Sequence, residues 1–395
     1  MSFETPEIQA GMNFDGQAEH RLNHQSPAMP GESSPAKCPI PWRRNVFRHL
    51  LNGLVFLAML TLSCVVLNRR LPYPDIPTAG EKIRYLALHG RQYDTLFTGS
   101  SRVNFQILPS IFDQTLAARH KPSKSFNAGI LGMRPPEQGF YLEQVLRQPH
   151  DGLRWVFIEL TSLEARTPKS RTGSARFAYW HDGRRMGLLW TWCQGEWAAL
   201  RAASTTEHPA SMAERWEPLS VWLGHVPPFL RRSANLGRAS YLAEQWVLSA
   251  SERAKQRNKW RALGKDRDGW MPSGSPEVMN DQDRAAYQES YEARLAQPAR
   301  HFHDPGSDAA TRAMLEAVVH SGATPIFFVP PMTTEKIYYP PADLAGNMII
   351  WDFSDPRRYP ELFEAKYHLD PIHLNTAGSE LFTRILAQQF AEFSQ

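Results

Sequence analysis

The chain has 395 residues with 44 basic and 40 acidic side chains, a formal net charge of +4. Nucleic-acid binding by phosphate neutralisation needs a concentrated basic surface, and a pI near 8.9 does not supply one. A hydrophobic share of 42% excludes disorder throughout and suffices for two or three folded units of roughly 100 to 200 residues each.

A mean hydropathy of −0.45 suits a soluble protein, but an average conceals one short apolar run. The three cysteines, Cys38, Cys64 and Cys193, are far apart and form no CxxC, so neither a disulfide framework nor a cysteine zinc site is expected.

Residues 1–45 are rich in Pro, Gly, Ser, Gln, Asn and Glu and have no apolar period, which predicts a disordered tail. Leu50 to Leu67 then runs without a charge, close to the ~18 residues that cross a hydrocarbon core. Arg43, Arg44 and Arg48 precede it, and Arg69 and Arg70 follow, with Pro72, Pro74 and Pro77 beyond. These flanks argue against a buried helix of a soluble domain, and no small-residue cleavage site precedes Asn68-Arg69-Arg70. An uncleaved signal anchor over 46–68 is expected, with a cytoplasmic tail and the remainder beyond the inner membrane, after a linker over 69–90.

From Arg91 onward, short apolar runs alternate with helical patterns. Thr95–Thr98, Ser125–Asn127, Trp155–Leu160, Pro325–Val329 and Met348–Phe353 read as strands. Pro135-Pro136-Glu137 opens one helix, Asp308 caps another that Gly322 ends, and Leu381–Phe393 closes the chain as an amphipathic helix. The fold class is therefore α/β, a parallel sheet covered on both faces that binds ligands at the carboxyl ends of its strands. Residues 165–307 interrupt it with a helical cap carrying Trp180, Trp190, Trp192, Trp197, Trp216, Trp222, Trp246, Trp260 and Trp270. These tryptophans either fill the cap's own core, stack on sugar rings, or meet a membrane interface. Arg253, Lys255, Arg257, Lys259 and Arg261 form a basic stretch, either a solvated face or a contact for anionic lipid or acidic polysaccharide.

Gly99-Ser100-Ser101 follows the first strand directly, where glycine permits a tight turn and a serine stands at the sheet's edge. Alone it reads simply as a turn. Asp370-Pro371-Ile372-His373 near the far end gives it weight, because an Asp and a His three residues apart on one loop can fix the imidazole tautomer and leave the other nitrogen to take a serine proton. The alternative for Asp370 and His373 is a loop pair capping the last helix. His301, His303 and His368 are expected to be solvated loop histidines, with no metal site and no cofactor.

Ser101 after the first strand, Gly129 after the second and Asp370-x-x-His373 before the last helix resemble the SGNH (GDSL-like) hydrolases, in particular their DltD-like and AlgJ/AlgX-like membrane-anchored branch. The resemblance covers roughly residues 91–165 and 308–395. It implies a flavodoxin-like sheet in which Ser101 is the nucleophile, His373 the general base and then acid, and Asp370 its orienter. The backbone N–H groups of Ser101 and Gly129 would form the oxyanion hole. That family's third block commonly adds an Asn, whereas Ile158-Glu159-Leu160-Thr161-Ser162 stands here. Thr161, Ser162 or Asn127 substitutes for it, or the hole is weaker, or activity is lost. Arg102 either contacts an anionic sugar or pairs with an acid.

The expected function is transfer or hydrolysis of O-acyl groups, O-acetyl foremost, on an exported cell-envelope polysaccharide through an acyl-Ser101 intermediate. The expected partners are that polysaccharide, the membrane and a membrane-bound acyl-donor protein, with no nucleic acid. The alternative is an inactive polysaccharide-binding or scaffold subunit that keeps the SGNH fold.

Overall fold

The computed structural model describes residues 42–70, 73–74, 76–166, 174–204, 209–234, 261–273 and 278–394. Most of the polar tail, the basic stretch over 253–259, Trp246 and Trp260 lie outside the described residues. The chain divides into a small unit over 1–57 and a large one over 58–395.

Helix α1 (Trp42–Arg70) begins inside the segment expected to be tail. Its stretch Asn45–Asn68, 24 residues with a mean hydropathy of 2.4, is long and apolar enough to cross a membrane. The large apolar side chains of that stretch, Phe47, Leu54 and Phe56 among them, are exposed, while Cys64 is buried.

Five parallel strands form the sheet of the large unit: β1 (Thr95–Thr98), β2 (Ser125–Asn127), β3 (Trp155–Glu159), β4 (Thr324–Val329) and β5 (Ile349–Asp352). Their spatial order is 2-1-3-4-5, so the winding reverses between β1 and β3. Strand runs are continuously apolar because successive residues face opposite layers. Leu96, Val156, Ile158, Phe327 and Val329 enter one core with residues of α2 (Ala79–His89), α5 (Glu137–Leu146) and α11 (Pro305–His320). Phe97, Phe157, Ile326 and Phe328 enter the other, with Phe112 and Leu116 of α4 (Pro109–Ala117) and Phe382, Leu386 and Phe390 of α12 (Thr376–Phe393).

Three elements depart from the sequence expectation. Residues 79–89, read as linker, form α2, whose Ile83 and Leu86 are buried in the first core. Asp304, not Asp308, caps α11, because Pro305 occupies its first turn and the Asp304 side chain accepts from Ser307 N–H. The last helix starts at Thr376, five residues earlier than its apolar stripe suggests, with Asn375 accepting from Gly378 N–H.

Within 165–307, helices α6 (Ala175–Tyr179), α7 (Gly183–Ala203), α8 (Met212–Gly224) and α9 (Val226–Ser233) make a layer of their own. Its core holds Phe177, Trp180, Leu189, Trp192 and Cys193 and rests on Phe140 of α5 and Ala310 of α11. Trp190 meets Trp197 and Trp222 edge-on, at 5.6 and 5.4 Å between centroids. Core filling thus accounts for five of the tryptophans, while Trp216 is exposed.

The insertion is not all cap. Residues 261–273 return to the edge of β2, where Asn127 N–H donates to Asp268 O and Trp270 Nε1–H to Phe105 O. Helix α10 (Asp281–Ala296) packs beside His368–Asp370, with Tyr287 hydroxyl donating to Phe363 O.

Candidate active site

Ser101 opens the short helix α3 (Ser101–Gln106) at the carboxyl end of β1, beside the point where the sheet's winding reverses. Ser100 caps that helix, its Oγ accepting from Arg102 N–H. Gly99 is required here, because a β-carbon would collide with the Glu159 carboxylate and the Val103 side chain.

Asp370 and His373 stand directly opposite each other on a two-stranded hairpin, His368–Asp370 paired antiparallel with His373–Leu374. Pro371 and Ile372 form its turn, which is the physical content of the three-residue spacing. The hairpin is held from two sides: Gln106 Nε2–H donates to Ile372 O, and Thr333 N–H to Pro371 O.

The three side chains form one relay. Asp370 Oδ2 accepts from His373 Nδ1–H at 2.7 Å, and Ser101 hydroxyl reaches His373 Nε2 at 2.8 Å. A carboxylate can only accept, so Nδ1 carries the proton and the Nε2 lone pair faces the serine. Burial opposes ionisation of Asp370, but hydrogen bonds from His373 and from the N–H groups of Ile372 and His373 hold its carboxyl below the ordinary value. Asn375, not this pair, caps the last helix.

The expected oxyanion donors fare differently. Gly129 N–H donates to Asn127 Oδ1 at 2.9 Å, so it is occupied in this arrangement. Asn127, fully buried, spends its amide on Val103 O and Ile107 O. Thr161 directs its single hydroxyl proton to Gln138 Oε1. Ser101 N–H, in the first turn of a helix and without an intrahelical acceptor, stays available. Thr161 is also buried.

Arg102 turns inward. Its Nε lies 2.5 Å from Glu159 Oε1, and the two side chains are 8% and 0% exposed, so the ion pair rather than a sugar contact is what the geometry shows. Glu159 also accepts from Ser100 N–H and Ser100 hydroxyl, so one carboxylate fixes the residues on either side of Ser101. Sequence reasoning missed this role, although an acid inside an apolar strand was its signal.

Lys82 was missed too, since residues 69–90 read as linker. The side chain is fully buried, and Nζ donates to Asn104 Oδ1 at 2.9 Å and to Gly129 O at 2.7 Å. Burial pushes its amine down to about 7, partly opposed by Asp268. A neutral amine has two protons for two acceptors, so charge is not needed to satisfy the site.

His301 stacks on Tyr339 and His303 faces Asp308, both exposed, whereas His368, expected to be solvated, is buried in the hairpin strand with Leu362 O as partner. No group of three or more potential metal ligands occurs among the described residues. Compared with models of known families and with curated proteins, the chain matches none.

Proposed function

We propose that this chain is a membrane-anchored serine acyltransferase or esterase of SGNH type that acts on O-acyl groups of an exported cell-envelope polysaccharide. The observation that carries the reading is the Ser101–His373–Asp370 relay at the carboxyl edge of a parallel sheet of order 2-1-3-4-5. In this reading His373 Nε2 takes the Ser101 proton as Oγ attacks the ester carbonyl. The imidazolium, balanced by Asp370, then returns the proton to the leaving alkoxide. Water or a second sugar hydroxyl releases the acyl group by the same steps in reverse. Ser101 N–H would stabilise the developing oxyanion. The apolar helix α1 would anchor the enzyme in the inner membrane with the α/β unit on the outer side, near a membrane-bound acyl donor.

The test is hydrolysis of 4-nitrophenyl acetate by the full-length protein, with Ser101→Ala as control. Activity that falls by roughly 10³-fold or more in the variant supports the proposal. Equal rates for the two proteins would sink it.

A second reading has its own observation. With Gly129 N–H, Asn127 and Thr161 all engaged internally, the oxyanion site has few donors, which suits a polysaccharide-binding or scaffold protein that keeps the fold. It predicts polymer binding that survives Ser101→Ala, with no esterase activity in either protein.

A further inference from the structure

A cavity of about 430 Å³ opens among Ile76, Pro77, Ile130, Leu131, Phe177 and Trp180. Its size lies in the range of small-molecule sites, roughly 300 to 1,000 Å³. Topology puts it at the same edge of the sheet as Ser101. Helix α2 feeds the amino end of β1 through the turn Gly90–Gln92, so the residues before α2, Ile76 to Thr78, belong to the opposite, carboxyl edge. Ile130 and Leu131 follow β2, and Glu137 in the cavity wall begins the helix after that strand. Ile130 N–H donates to Gly99 O at 2.9 Å, which ties the cavity wall to the turn that carries the nucleophile.

The wall's chemistry selects the occupant. Its one ion pair is closed on itself: Arg176 bonds both carboxylate oxygens of Glu137, at 2.6 and 2.9 Å, and Leu131 O at 2.8 Å. No counter-charge is therefore on offer to an anion. A sugar ring would need a stacking face and several polar partners. One face of Trp180 is stacked on His181 at 3.6 Å and Phe177 meets its ring at right angles; Ser174 hydroxyl already accepts from Phe177 N–H, and besides it and Thr78 the remaining lining is alkyl. A neutral hydrocarbon chain needs neither and gains by leaving water.

We propose that this cavity is an acyl-chain pocket, which receives the hydrocarbon part of the ester on which Ser101 acts. The proposal rests on the reading of Ser101 as an acyl-transfer nucleophile and sharpens it: the acyl group is a chain of several carbons rather than acetyl alone.

Two measurements on the full-length protein in lipid nanodiscs test it. In the first, kcat/KM is compared along 4-nitrophenyl esters from acetyl to octanoyl. Wild type is expected to gain about fourfold per added methylene until the cavity is filled. Ala175→Trp, which places an indole into the cavity from its exposed rim, should flatten this gradient, whereas Leu88→Trp on exposed surface outside the cavity should leave it as in wild type. In the second, a photoreactive diazirine analogue of octanoic acid is cross-linked to Ser101→Ala protein and mapped by mass spectrometry. Adducts at Leu131, Ala175 or Phe177 that excess octanoate suppresses support the pocket. A gradient that is absent although wild type turns the esters over, or that persists in Ala175→Trp, or adducts elsewhere, would overturn the proposal. If no ester is turned over while the suppressible adducts form, the nucleophile reading fails and the hydrocarbon site stands.

Discussion

Asp370 sets the fate of one proton. Because its oxygens accept from His373 Nδ1–H and two backbone N–H groups, the ionised form is favoured, and Asp370→Asn would exchange an acceptor for a group that can present N–H to the ring. Such a change favours the wrong imidazole tautomer, and the rate on an activated ester should drop by roughly 10³- to 10⁴-fold with the fold intact, read by kinetics beside circular dichroism. The carboxyl lies below its ordinary 3.8 in the folded protein. Its stabilising contribution is therefore complete above about pH 4 and lost as pH falls through the lowered value. Melting temperature measured against pH should show that acid loss in wild type and less of it in Asp370→Asn. Glu159 makes a second prediction at this scale. Glu159→Gln leaves the Arg102 guanidinium buried without its counter-charge, which should cost about 3–5 kcal/mol by denaturant midpoint, while Arg102→Met with Glu159→Leu should cost less. Equal losses in the single and double variants would mean that the ion pair is not what holds this turn.

Helix α2 shows how an element can serve a site without touching the chemistry. Its Lys82 joins α3 to the strand-end loop at Gly129 through two hydrogen bonds. With a folded value near 7 against 10.5 for the free side chain, the unfolded chain binds more protons between these limits. Wild-type stability from this group therefore rises as pH increases from about 7 to 10 and is most reduced below 7. Lys82→Met should remove that slope, measured as the difference between the two melting curves across the range, and an unchanged slope would assign it to other groups. Gly129 makes the neighbouring test. A β-carbon there would stand 2.5 Å from Asn104 N and 2.9 Å from the Val103 side chain, so Gly129→Ala should cost about 1–3 kcal/mol and displace α3 with its serine.

The strands were legible because burial on both faces leaves continuous apolar runs, and β1 and β2 match their sequence limits residue for residue. Helix starts were less so: Thr376-Ala377-Gly378-Ser379 looks like loop until Asn375 is seen to cap it. Within the site, Ser101, Asp370 and His373 could be picked out because their chemistry is local to strand ends and one hairpin. The fate of the Gly129 N–H could not, because it depends on which way the Asn127 amide turns once Val103 and Ile107 pack against it.

At the scale of the whole molecule, a hydrophilic mean conceals a helix whose stretch Asn45–Asn68 carries exposed apolar side chains along its length. The full-length protein should fractionate with membranes and resist extraction by alkaline carbonate; release into the soluble fraction would contradict a spanning role for α1.

The hydrogen bond between Ser101 and His373 joins residues 272 apart in sequence. At about 5–20 residues per second, a ribosome needs roughly a quarter of a minute to a minute to travel from one to the other. Throughout that interval the nascent chain carries Ser101 without its His373 partner, so this hydrogen bond is timed by synthesis itself and can form only once the final hairpin has been made.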